Sequence, residues 1–201
     1  MIYEYSSIAK YTESALKDKG SKFYGIAFPI SNLAEFKTQM DIIKTKFPKA
    51  THYCYAYRIG FDKTNFRSFD DGEPSGSAGK PILGQIDSFN LCNIAIVVVR
   101  YYGGINLGVP GLIAAYKESA KLALNSGEII KNKIYQVIEF DTNYSDLSKT
   151  LKIIENLGGL IIELKLESDC KVIAKLPIPI PNLEQKIPFG VSVKFTLKEI
   201  I

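Results

Sequence analysis

The chain has 201 residues, of which 46% are hydrophobic and 23% are charged, and its formal net charge is +4. This composition is typical of a folded soluble protein and excludes a largely disordered chain, while the length allows one large or two small domains. The longest charge-free apolar run, residues 94–99, is far shorter than the ~20 residues of a membrane-spanning helix, and the N-terminus lacks the pattern of a secretory signal.

In chain order, the first part of the sequence predicts a strand over residues 21–30 and then a helix. Asn32 and Glu35 have the spacing of a capping box at the start of this helix. Two more strands are predicted over residues 51–60 and 65–69. Apolar residues recur every three or four positions along one helix face, which comprises Leu33, Phe36, Met40, Ile43 and Phe47.

A short helix, a buried strand and a longer helix are predicted next. Pro81 suits the first turn of the short helix. Residues 94–99 carry no polar side chain, which predicts a strand buried on both faces. The longer helix is predicted from Pro110 to about Ser126. The predicted inner faces comprise Ile82, Leu83 and Ile86 in the short helix and Leu112, Ile113, Tyr116, Ala120 and Leu124 in the longer one.

These elements, in the order βαββαβα, predict a domain over residues 1–131, and a second pattern predicts another over residues 132–201. The second pattern is βαββ(α)β, which is typical of a ferredoxin-like domain. Its segment 177–190, rich in proline, leaves room for about one helical turn. The remaining predicted elements are strands over residues 135–140, 160–166, 172–176 and 191–196 and a helix over residues 145–157 with Leu147, Leu151, Ile154 and Leu157 inward.

The positive charge is concentrated in the first part of the chain. Residues 1–134 carry 17 Lys+Arg against 12 Asp+Glu, whereas residues 135–201 carry 8 against 9. If the protein binds an acidic polymer, the first part offers the more favourable surface. Lysines that only solvate the surface would give the same excess.

The three cysteines (Cys54, Cys92 and Cys170) lie far apart and form no CxxC pair. This spacing is typical of reduced thiols in a cytoplasmic protein. Because the chain has one histidine and no paired ligands, we expect no metal site, and the sequence predicts no cofactor.

Two glycine-rich stretches flank the buried strand, and the first reads DDGEPSGSAGKPILG over residues 70–84. Its acidic residues could bind a hard cation or perform acid/base chemistry, but Asp-Gly and Glu-Pro are also ordinary turn chemistry before a helix. A nucleophile pair of His52 with Cys54, Ser75 or Ser77 is a further candidate, although such residues more often only pack. This enzyme hypothesis therefore uses His52, Asp70, Asp71, Glu73 and Ser75.

The second stretch reads VVVRYYGGINLGVPG over residues 97–111. Arg100 suits either a phosphate contact or an ion pair with Asp70 or Asp71 that stiffens the loop. The adjacent tyrosines are candidate stacking platforms for bases, and the glycine pair indicates close backbone approach or positive φ. Neither stretch has the spacing of a Walker loop or of a dinucleotide-binding fingerprint.

Together with HYCYAYR at residues 52–58, both stretches resemble the signature of the YigZ/IMPACT family. The usual form of that signature is HNCYAYR, then DDGEPSGTAGxPIL, then VVTRYFGGxxLGxGGLxRAY. The resemblance spans residues 52–116 and departs at Pro110 and Ala114, where the pattern has glycine and arginine. The missing arginine removes one cationic group at the start of the longer helix.

The resemblance implies an α+β chain of two domains. The first would be similar to the second domain of ribosomal protein S5, and the second would be ferredoxin-like, similar to the last domain of the ribosomal translocase. Bacterial members of the family are regarded as nucleic-acid- or ribosome-associated, and eukaryotic members regulate translation through an additional RWD domain. Few residues precede the shared domain here, so we expect the bacterial type.

The leading prediction is a cytoplasmic protein that binds RNA or the ribosome and is a candidate regulator of translation. Its alternatives are the small hydrolase or phosphate-ligand enzyme described above and a protein-interaction module whose C-terminal sheet recruits a partner or forms a dimer. The residues predicted to bind nucleic acid or an anion are Arg58, Lys80, Arg100, Tyr101, Tyr102, Gly103 and Gly104.

Overall fold

The computed structural model describes residues 3–180, 183–187 and 191–195. The chain divides into two compact units, one of residues 5–132 and one of residues 133–201 together with the start of the chain. The predicted fold class, an α+β chain of two domains, is confirmed.

The first domain is built on a five-stranded sheet with strand order β2-β3-β6-β4-β5, in which all neighbouring strands are antiparallel. A separate two-stranded sheet joins β1 and β7. The elements are β1 (Glu4–Ile8), β2 (Thr12–Asp18), β3 (Ser21–Pro29), α1 (Leu33–Lys46), β4 (His52–Ile59), β5 (Asn65–Phe69), α2 (Gly79–Ser88), β6 (Ile94–Tyr101), α3 (Gly108–Asn125) and β7 (Ile129–Lys133).

Strand β6 is the centre of the five-stranded sheet, and its two faces belong to two different cores. Ile94, Ile96 and Val98 pack with residues of α2 and α3, whereas Ala95, Val97 and Val99 pack with residues of α1. All six side chains are 0% exposed. The prediction of a strand buried on both faces is confirmed, because helices cover both sides of the sheet.

The predicted helix faces are correct except at two positions. Leu33 is 47% exposed, because at 100° per residue it lies about 50° from the mean direction of the other four apolar residues. Ile113 is 39% exposed, in the first two turns of α3, where only Leu112 is buried. Strands β1, β2 and β7 are not predicted by the sequence, since they are polar and carry no continuous apolar run.

The second domain has a four-stranded antiparallel sheet of order β11-β8-β10-β9. This order and the βαββαβ succession are those of a ferredoxin-like domain, as predicted. The second helix is one turn long, also as predicted, and residue 196 of the last predicted strand lies outside the described residues. The elements are β8 (Tyr135–Thr142), α4 (Tyr144–Asn156), β9 (Leu160–Leu166), β10 (Cys170–Pro177), α5 (Leu183–Lys186) and β11 (Ser192–Phe195).

Candidate functional site

The acidic loop between β5 and α2 is held in place by its first residue. The carboxylate of Asp70 accepts hydrogen bonds from the backbone N–H groups of Gly76 at 2.9 Å, Ala78 at 3.0 Å and Gly79 at 2.8 Å. Asp70 therefore supplies the acceptor that the start of α2 lacks, because the residue at the N-cap position, Ala78, has no side-chain oxygen. Partial burial acts to raise the pKa of Asp70, but these donors outweigh it and hold the pKa below its ordinary value.

Asp71 ties the same loop to β4. Its carboxylate accepts from the backbone N–H of Tyr53 at 2.7 Å, and its backbone carbonyl lies 2.7 Å from Nδ1 of His52. Because a carbonyl only accepts, Nδ1 of His52 carries the proton. The other ring nitrogen, Nε2, lies 3.8 Å from the carboxylate of Glu73.

Glu73 forms the centre of a buried network. Its Oε1 accepts from Nη1 of Arg100 at 2.6 Å and from the hydroxyl of Tyr116 at 2.7 Å. The side chains of Glu73 and Arg100 are 4% and 5% exposed. The predicted ion pair of Arg100 with Asp70 or Asp71 is wrong, because those two carboxylates are already occupied by backbone N–H groups.

The guanidinium of Arg100 also organises the residues around it. Its Nη2 lies 3.3 Å from the hydroxyl of Ser21. The group lies over the ring of Phe23 at 5.4 Å and over that of Tyr102 at 5.3 Å, which are cation–π distances. Arg100 thereby connects the buried network to Tyr102, whose ring is 44% exposed.

Cys54 lies beside this network as a protonated thiol. Its Sγ donates to the carbonyl of Asp70 at 2.9 Å and lies 3.4 Å from the hydroxyl of Tyr116. Burial raises the pKa of Cys54 and of Tyr116, so both groups stay neutral near pH 7. The candidate Cys54–His52 pair is not formed, because each side chain bonds to a carbonyl of the loop.

The two candidate serines of the enzyme hypothesis differ in their surroundings. Ser77 is buried and donates to the carbonyl of Pro74 at 2.6 Å, whereas Ser75 is exposed. Within residues 3–180, 183–187 and 191–195, no group of three or more His, Cys, Asp or Glu side chains could hold a metal ion. The structure thus gathers His52, Asp70, Asp71 and Glu73 in one place, where each makes at least one hydrogen bond within the protein.

The residues predicted to contact phosphate are not brought together. Arg58 is buried and pairs with Asp87 at 2.5 Å. In the sheet it lies opposite Ile94, whereas Arg100 lies opposite His52, so the two arginines are separated by about 20 Å along β4. Because both guanidinium groups are enclosed, direct phosphate contacts by them stay a prediction that this geometry does not favour. Lys80 is exposed.

The two predicted tyrosines line a groove on the surface of the first domain. This groove has a volume of about 350 Å³. The hydroxyl of Tyr101 donates to the carbonyl of Pro48 at 3.0 Å, which fixes the position of the ring. The groove, called the tyrosine groove below, is lined by Gly20, Lys22, Tyr24, Phe47, Tyr101 and Tyr102.

One rim of the tyrosine groove requires glycine. A Cβ on Gly103 would lie 2.0 Å from the backbone carbon of Gly20, so no larger residue fits there without a shift of one loop. Gly104 has a φ of 85°, a region that favours glycine. The close approach and positive φ that the glycine pair predicts are both present, and the approach is to another segment of the chain.

Sequence reasoning misses several members of the site. Tyr116 is predicted only as an inward residue of α3, although a hydroxyl in a core needs a polar partner and thus signals a buried acceptor. Ser21, Lys22 and Tyr24 lie on β3, which is distant in sequence from both glycine-rich stretches. The antiparallel pairing of β3 with β6 brings Lys22 opposite Tyr101.

These features define an α+β two-domain protein whose first domain encloses a Glu–Arg–Tyr network beneath glycine-rich loops. The family model of the Impact N-terminal domain matches residues 19–124. An IMPACT family member from Haemophilus influenzae is 38% identical over 160 residues, which cover 77% of this chain and 76% of the relative. The IMPACT family member YvyE of Bacillus subtilis is 34% identical over 149 residues, which cover 74% of this chain and 69% of the relative. The chain belongs to the IMPACT family.

The fold extends to a solved structure. A crystal structure of a hypothetical protein superposes over 100% of both chains with a TM-score of 0.78. Its sequence identity of 24% shows a common fold and nothing about function. No helix in the described part of the chain is long and apolar enough to cross a membrane.

Proposed function

We propose that this protein binds RNA, as a single strand or on the ribosome, through the tyrosine groove, and that it regulates translation in the cytoplasm. The observation that carries the proposal is the grouping of aromatic rings with an exposed lysine in the tyrosine groove. Tyr24, Tyr101 and Tyr102 offer ring surfaces there, and Lys22 is exposed beside them. Proteins that bind single strands combine such stacking surfaces with positive charge along the backbone path.

Two further features support this assignment. The excess of Lys+Arg over Asp+Glu lies in residues 1–134, and phosphate neutralisation by such residues supplies most sequence-independent RNA affinity. The family resemblance described above adds the expectation of a role at the ribosome. In this proposal Arg100 acts as a positioning residue, because its guanidinium backs the ring of Tyr102, whereas Lys80 is exposed but does not line the groove.

The experiment measures binding of a fluorescent single-stranded oligouridine by anisotropy, and sedimentation with purified ribosomes, each at two salt concentrations. Tyr102→Ala should weaken binding about fivefold or more, because loss of one stacking surface costs about 1–3 kcal/mol per base. Lys22→Ala should reduce the slope of log affinity against log salt by about 0.7, the contribution of one phosphate contact to a single strand.

Matched controls come from the second domain. Tyr144 and Lys152 are exposed residues of α4, so Tyr144→Ala and Lys152→Ala should leave affinity and salt dependence unchanged. If Tyr102→Ala and Lys22→Ala behave like these controls, the groove is not the site. If the unaltered protein binds neither oligouridine nor ribosomes, the proposed function is wrong.

A further inference from the structure

Strand β9 leaves five large aliphatic side chains in solvent. Among the described residues, it is the terminal strand of the second sheet and pairs only with β10. Proteins usually protect such an edge with short strands or with charged residues, and a contiguous exposed apolar patch marks an interaction surface. The exposed residues are Leu160 at 60%, Ile161 at 49%, Ile162 at 47%, Leu164 at 42% and Leu166 at 52%.

The two faces of β9 differ in character. Leu164 lies opposite Val172, and Leu166 lies opposite Cys170, and both of these β10 residues are 0% exposed. The two leucines thus continue the apolar core face of the sheet beyond its last covered strand. The alternate residues Glu163 and Lys165 lie on the other face and form an ion pair with an N–O distance of 3.2 Å.

Among the antiparallel pairings of β9 with a second copy of the same strand, one brings the opposite charges within the strand against each other. In a continuous sheet, opposite residues share a face, so the two-fold axis must pass through a residue. An axis at Glu163 or at Lys165 would place identical charges opposite each other, which is destabilising. An axis at Leu164 places Glu163 of each copy opposite Lys165 of the other, and these residues follow the irregularity in the pairing of β9 at Ile162.

We propose that the second domain forms a dimer through β9, with the two copies paired antiparallel around Leu164. The pairing creates two intermolecular Glu163–Lys165 pairs on one face of the joined sheet. On the other face it brings the exposed Leu164 side chains of the two copies into contact. It also satisfies the backbone N–H and C=O groups at the free edge of β9. This inference does not depend on RNA binding.

The test is the mass of the full chain by sedimentation equilibrium over a range of concentrations. Glu163→Lys and Lys165→Glu each place like charges opposite each other at both pairs, so each should weaken the dimer about tenfold or more. The double variant Glu163→Lys/Lys165→Glu restores opposite charges at both positions and should dimerise like the original. An equimolar mixture of the two single variants should form a heterodimer, since one copy then carries two lysines and the other two glutamates.

Lys152→Glu, a charge reversal on exposed α4, serves as the control and should leave the dimer intact. Circular dichroism of every variant confirms that the fold is retained. A monomer at every concentration overturns the proposal, and so does a dimer that both single variants leave intact. A dimer that the single variants break but the double variant fails to restore overturns the register centred on Leu164.

Discussion

The first domain encloses charged side chains within protein, whereas the second domain leaves a row of aliphatic side chains in solvent. In the buried network, one carboxylate oxygen of Glu73 accepts hydrogen bonds from Arg100 and Tyr116, and the loops above the network depend on those contacts. Along β9, five aliphatic side chains are more than two-fifths exposed. A substitution in the network should therefore change folding stability, while a substitution on β9 should change association.

The largest expected effect is at the centre of the buried network. Glu73→Gln retains the shape of the side chain but removes its charge, which leaves the guanidinium of Arg100 buried without an ionic partner. Breaking one side of a buried ion pair costs about 3–5 kcal/mol. Urea denaturation followed by circular dichroism should show this loss in the free energy of unfolding. Glu155→Gln, on the exposed side of α4, should change it by less than about 0.5 kcal/mol. Equal effects of the two variants would contradict a structural role for the network.

The glycine rim of the tyrosine groove should show the next largest effect. In Gly103→Ala the new Cβ meets the backbone of Gly20 at 2.0 Å, and forced overpacking costs about 1–3 kcal/mol. Gly84→Ala is a matched control in α2, because a Cβ there meets nothing within 4 Å. That control should stabilise the protein by about 0.5–1 kcal/mol through helix propensity. The midpoint of thermal denaturation should therefore fall for Gly103→Ala and rise for Gly84→Ala. A shift of both midpoints in the same direction would contradict the close approach of the two loops.

A smaller effect, which depends on pH, is expected at Asp70. Its pKa is held below the ordinary value in the folded protein, so as the pH falls the unfolded chain takes up the proton first. The stabilisation is complete above the ordinary carboxyl pKa of ~3.9 and is lost as the pH falls through the folded-state value. Asp70→Asn should cost about 1–2 kcal/mol at pH 7, the size of a lost helix cap. The difference from the unaltered protein should shrink in acid, and a difference independent of pH would contradict the capping role of the carboxylate.

The contrast between the domains also shows what the sequence can predict. Local signals were sufficient to predict α1, because Asn32 and the apolar period define its start and its inner face. They were also sufficient to predict β6, because six consecutive apolar residues need to be covered on both faces. The partners of Arg100 required tertiary information. The carboxylates of Asp70, Asp71 and Glu73 lie close together in the sequence. Only the folded loop shows that backbone N–H groups bond to the two aspartates, so that Glu73 is the partner of Arg100. The tyrosine groove was equally inaccessible, since Lys22 joins it through strand pairing.

The smallest expected effect on folding stability is at the exposed edge of the second domain. Leu164 is 42% exposed, whereas Val172, its neighbour on β10, is 0% exposed. At low protein concentration Leu164→Thr should change the free energy of unfolding by less than about 0.5 kcal/mol, because the residue is at the surface and threonine suits a strand. Val172→Ala should cost about 2 kcal/mol from the two buried carbons that are removed.

Concentration then separates the two roles of Leu164. A dimer makes the unfolding midpoint rise with protein concentration, because association stabilises the folded state by mass action. Leu164→Thr should remove that rise while leaving the low-concentration midpoint in place. Val172→Ala should instead lower the midpoint at every concentration and keep the rise. If the unfolding midpoint of the unaltered protein does not depend on concentration, the exposed leucines of β9 do not serve self-association. The two domains would then still differ in burial, but the edge of the second domain would not be an association surface.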